Sequence, residues 1–89
     1  MAGSISGIDW VSRMPVSGSH TVTSGEASAN TVAISTGKAD ATSFIVQILS
    51  SDVVVGGDAA ISLASGVLTV ADGSTYNTVA GDVINWIAF

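Results

Sequence analysis

At 89 residues the chain makes at most one domain, and with no Cys neither disulfides nor a thiolate zinc site can supplement a core that buries only about 60–65% of the unfolded surface. Seven carboxylates face only Arg13 and Lys38, for a net charge of −5. Two separated cations cannot neutralise a phosphate backbone, so no nucleic-acid partner is expected. Val and Ile number 20 against three Leu, while Glu, Lys, Arg and Gln occur once each. Cβ-branched residues suit a pleated sheet, and the long unbranched residues that cover exposed helix faces are nearly missing. The expected fold is therefore all-β, a small antiparallel β-sandwich or barrel of about seven strands with an N-terminal arm.

Residues 1–18 read as that arm. Ile5, Ile8, Val11 and Met14 recur at intervals of three and stop at Pro15 and Gly18. The spacing suits a short helical turn, but Gly3 and Gly7 weaken it, and an extended segment that orders on contact fits equally well. Arg13, the first cation, follows Ile5, Ile8 and Trp10, which is not the order of a signal peptide. No apolar stretch approaches the ~20 residues that cross a bilayer, so no membrane role is expected.

Residues 19–89 read as the β-domain. Short alternating runs predict strands over 19–24, 31–36, 43–50, 53–55, 59–64, 67–71 and 83–89, with a possible extra one near 76–79. Ser65-Gly66 and Asp72-Gly73 supply the positive φ of tight hairpins, and Gly56-Gly57-Asp58 and Ala80-Gly81-Asp82 do similar service. An antiparallel meander is expected for the C-terminal half.

Two of these strands depart from the rule that a sandwich strand buries one face and wets the other. Phe44, Val46 and Ile48 alternate with Ile45, Gln47 and Leu49; Val83, Asn85, Ile87 and Phe89 alternate with Ile84, Trp86 and Ala88. Both strands are apolar on both sides apart from one amide each. Such a surface left in water would associate, so either the arm, with Ile8, Trp10 and Met14, folds over it or another subunit covers it.

Catalytic chemistry finds little support. His20 is the only His, and none of the 14 Ser lies in a G-x-S-x-G elbow. Asp52, Asp58, Asp72 and Asp82 fall in predicted turns but match no calcium-loop pattern, which favours turn formation over a metal site. A carboxylate pair across a deep cleft does not fit a domain this small, and GGDAAISL lacks the Lys-Ser/Thr of a phosphate loop. No cofactor or metal is expected, and the chain reads as non-enzymatic. Trp10, Tyr76 and Trp86 leave open a small sugar-stacking module.

The segments VTSGEASANTVAIS, SFIVQI and GVLTVADGSTYNTVAGDVINWIAF resemble the short, Ala/Gly/Ser/Thr/Val-rich β-proteins of tailed-bacteriophage virions, above all small head decoration, or cement, proteins. The likeness is one of composition and strand-turn rhythm rather than of a diagnostic motif. It implies a β-domain on the capsid exterior, often trimeric, tied by an arm to the major capsid protein, with a tail or fibre component as the alternative. On that reading Ile5, Ile8, Trp10, Val11 and Met14 anchor the arm, and Gln47, Asn85, Trp86 and Phe89 contact neighbours from the two-sided strands.

Overall fold

A computed structural model of the chain describes residues 14–89. Seven strands form two antiparallel sheets: β1 Val16–Thr21, β2 Thr31–Ser35, β3 Phe44–Ser50, β4 Val53–Val55, β5 Ala60–Ala64, β6 Val67–Ala71 and β7 Val83–Ala88. One sheet has the order β1-β7-β3-β4 and the other β2-β6-β5. This is the small all-β sandwich that composition and alternation predict.

Alternation sets the inner faces. Val32 and Ile34 from β2, Leu68 and Val70 from β6, Ile48 from β3, and Ile84, Trp86 and Ala88 from β7 make up most of the buried core. Every second residue of β2, β6 and β7 is apolar and buried, as a half-buried pleated strand requires. Gly18 has a particular role in this packing. It pairs with Trp86 across the β1–β7 ladder, and the indole lies so close that a Cβ at Gly18 would stand 2.6 Å from Trp86 Cζ2. Only a residue without a side chain lets the ring lie flat over the edge strand.

The two hairpins differ in their turn residues. β5 and β6 join through Ser65 (φ 50°) and Gly66 (φ 78°), the pair expected from sequence; β3 and β4 join through Ser51 (φ 49°) and Asp52 (φ 66°). Positive φ at both central positions is the type I′ geometry, whose twist matches that of the strands it joins. Gly66 also carries a packing constraint, because its backbone passes so near Ala39 and Lys38 that a Cβ would meet them at 2.9 Å.

Several expectations need correction. The C-terminal half is not a meander: after the β5–β6 hairpin the chain crosses to the other sheet, where β7 inserts between β1 and β3. With apolar residues on both faces, β7 fits that central position better than an edge. The Asp72-Gly73 step is accordingly no hairpin turn, and residues 76–79 form no strand; both belong to the crossover loop. The first strand begins at Val16 rather than residue 19. A helix, α1 Ser24–Ala29, lies between the first two strands, where none was predicted. Its start was written as Thr23-x-x-Glu26, a capping box: Thr23 Oγ1 accepts from the Glu26 N–H at 3.2 Å, and the Thr23 N–H donates to Glu26 Oε1 at 2.9 Å. Asn30, in the left-handed region, closes it.

Candidate interaction surface

The outer face of the four-stranded sheet is built by register. Ile45 of β3 pairs with Ile87 of β7, Gln47 with Asn85, and Leu49 with Val83. Ser17, Ser19 and Thr21 of β1 extend these rows on one side, and Val54 of β4, opposite Leu49, on the other. The result is an amide row, Gln47 beside Asn85, between two apolar rows. Ser19 Oγ donates to Asn85 Oδ1 at 2.8 Å, which fixes the amide at the centre. Ile45 is 59% exposed, Val54 64%, Phe89 41% and Ile87 36%.

The opposite outer face provides the contrast. There the outward positions are Thr31, Ala33 and Ser35, then Ala71, Thr69 and Val67, then Ala60, Ser62 and Ala64. Neither outer face carries a charge, but the three-stranded sheet exposes a single large apolar side chain, Val67, where the four-stranded sheet exposes Ile45, Val54, Ile87 and Phe89 together. Burying such side chains is what drives association, so this face is the candidate.

The predicted site residues divide. Gln47 and Asn85 meet directly, and Phe89 continues the same side of β7. Trp86 does not belong to this face; its ring points inward, is 8% exposed and packs against Gly18. Met14 is exposed just ahead of β1. Ile5, Ile8, Trp10 and Val11 lie outside the described residues. Ile45, Leu49, Val83 and Ile87 were visible as apolar residues on a second face, but pairing across β3 and β7 is what joins them into one patch. Val54 carried no signal, because a three-residue strand has no readable period.

The polar groups that might have suggested chemistry have structural work. Asp58 accepts from the N–H groups of Thr75 and Tyr76. Asp72 accepts from both the N–H and the hydroxyl of Thr78, each at 2.7 Å. The Tyr76 hydroxyl donates to Asp82 Oδ2 at 3.2 Å. Together these bonds hold the 72–82 crossover in shape. The Thr75 N–H, before other contacts, keeps the Asp58 carboxyl below its ordinary range. Burial, then the nearby Asp82 carboxylate, pushes the Tyr76 hydroxyl up to about 12. His20 donates from Nε2 to Glu26 Oε1 at 2.8 Å. The Thr23 N–H first, and then His20, hold the Glu26 carboxyl below its usual value.

Among the described residues no group of His, Cys, Asp or Glu is arranged to hold a metal ion, and no helix is long and apolar enough to cross a membrane. Tyr76 and Trp86 are both buried, so neither offers a ring face for sugar stacking. Compared with known protein families, curated proteins and solved structures, the chain matches none.

Proposed function

We propose that this protein is a non-enzymatic structural component that docks on other protein subunits through the outer face of its four-stranded sheet. The observation that carries the proposal is the uncharged patch of Ile45, Ile87, Val54 and Phe89 flanking the Gln47–Asn85 amide row. Apolar rows supply the driving force. The central amides set the register, because a misaligned partner would leave them buried without hydrogen bonds. The engagement of Asp58, Asp72, Asp82 and His20 in the scaffold supports a role without catalysis.

The setting we propose is the exterior of a tailed-phage capsid, with the major capsid protein as partner and further copies, in a trimer, as neighbours. The likeness of composition and strand-turn rhythm to head decoration proteins supports this setting. Repetition around a symmetry axis then turns modest single contacts into firm attachment.

The test is co-sedimentation of the full chain, and of an Ile45→Lys, Ile87→Lys variant, with shells assembled from tailed-phage major capsid protein. Native mass over a concentration series is measured in parallel. Binding by the parent protein and its loss in a variant with unchanged circular dichroism are expected. Equal attachment of both proteins, or of neither, would overturn the proposal.

A further inference from the structure

The end of the sandwich opposite Phe44 holds a cavity of about 370 Å³, within the size range of small-ligand sites. Two segments build it. One is the end of the β3–β4 hairpin with residues 56–58 that follow β4; the other is the 72–82 crossover where it enters β7. Asp58 locks the two together. Its carboxylate accepts from the Thr75 and Tyr76 N–H groups, and the Gly73 backbone lies so close to Asp58 that no Cβ would fit between them. Among the lining residues Asp82 and Tyr76 are buried, at 3% and 7% exposed, whereas Asp58, Asn77 and Val79 reach the surface. The cavity therefore has one carboxylate at its floor and another at its mouth.

The floor is short of partners. Asp82 Oδ2 accepts from the Tyr76 hydroxyl at 3.2 Å, and among the described residues no donor reaches Oδ1. With its pKa pushed up to about 12, that hydroxyl is neutral near pH 7 and does not balance the carboxylate's charge. Lys38, the cation among the described residues, pairs with Asp40 and does not line this cavity. A carboxylate buried this deeply ordinarily has a cation beside it and hydrogen bonds at both oxygens, because its desolvation is otherwise uncompensated. The cavity that Asp82 lines leaves room for such a cation.

Which cation fits follows from the acceptors on offer. Calcium takes about six to eight oxygen ligands, and among the described residues no group of three acidic or imidazole side chains is arranged to hold a metal ion. A guanidinium engages a carboxylate through two parallel hydrogen bonds, but Asp82 Oδ2 already serves Tyr76. An ammonium is a compact point charge with three donors, which suits a single available oxygen. Val55 and Val79 supply an apolar wall for an aliphatic stem, and Ser50 and Asn77 add polar side chains to the lining.

We propose that this cavity binds a primary ammonium group on a short aliphatic stem, with the ammonium at Asp82 and the stem along Val55 and Val79. The site performs no chemistry and does not use the outer face of the four-stranded sheet, so it stands or falls apart from the proposed function.

NMR titration of the full chain with n-pentylammonium chloride, against 1-pentanol and sodium chloride at matched concentration and ionic strength, tests the proposal. The amides of residues 56–58 and 75–82 should shift saturably with the ammonium and not with either control. Asp82→Asn keeps an acceptor for the Tyr76 hydroxyl but removes the charge, and should raise Kd at least about tenfold. Val79→Lys alters an exposed side chain, so it tests the site even if the Asp82 variant does not fold; its competing ammonium at the mouth should weaken binding by a similar factor. Tighter binding of N-acetyl-lysine methylamide than of n-pentylammonium would assign the site to a lysine side chain of a partner protein, and the reverse order to a free amine. Equal shifts with 1-pentanol or sodium chloride, unchanged affinity in either folded variant, or no saturable shift at all would overturn the proposal.

Discussion

Ile45 and Ile48 lie three residues apart in β3 and differ only in the face they occupy: Ile45 is 59% exposed on the outer face, Ile48 is 2% exposed in the core. Replacing each by Thr keeps the branched Cβ that a strand favours and removes apolar surface. At position 48 the loss of a buried Ile side chain costs about 1.5–3 kcal/mol. The hydroxyl left among Val55, Ile61 and Ile84 adds about 1–3 kcal/mol. Out of a total of roughly 4–13 kcal/mol for a domain of this length, a combined loss of about 2.5–6 kcal/mol lowers Tm by roughly 10–50 °C or leaves the domain unfolded. At position 45 the same replacement costs under about 0.5 kcal/mol in the free protein, a shift of no more than about 4 °C. In a complex that buries the remaining exposed fraction of Ile45, Thr forfeits about 1–2 kcal/mol, a roughly 5- to 30-fold rise in Kd. Thermal unfolding of the dilute protein gives the first pair of values and shell co-sedimentation the last. If Ile45→Thr destabilises the dilute monomer as much as Ile48→Thr does, the outer face is covered within the chain, and the argument for docking through it fails.

Three further outcomes follow from the geometry. Gly18→Val drives a branched side chain into the Trp86 ring and should cost about 1–3 kcal/mol by overpacking, read as a lower urea midpoint together with a shifted Trp fluorescence spectrum. Tyr76 is the only Tyr, and its absorbance near 295 nm (the phenolate band) should titrate close to 12 in the folded protein against about 10 when unfolded. Because the folded value is the higher one, stability is intact below pH 10 and falls as pH rises towards 12; a folded-state midpoint near 10 would refute the buried contact with Asp82. Glu26 and Asp58 both have lowered folded values, from ordinary ones of 4.5 and 3.8. Their contribution is complete above about pH 4.5 and is lost as pH falls through the folded values, so Glu26→Gln should flatten part of the acid-side loss of Tm.

Composition and alternation alone determined the all-β class, the existence and rough bounds of all seven strands, the Ser65-Gly66 turn and the two-sided apolar character of β3 and β7. These are local properties: branched side chains favour pleated backbone, and a period of two marks the face a strand will bury. α1 was also legible, in Thr23-x-x-Glu26, though a composition poor in helix formers argued against it; capping bonds outweighed propensity over six residues. Strand partnership was not local. That β7 leaves the β5–β6 hairpin for the other sheet depends on which pairs bury most surface together, a sum over residues far apart in the chain. Tertiary structure therefore decided that Trp86 turns into the core over Gly18 while Ile45, Ile87 and Val54 gather outside. It also decided that β4 is short, pairing only with Ile48, Leu49 and Ser50 of β3. A strand's pattern shows that it has two faces, but only its neighbours decide which one stays in water.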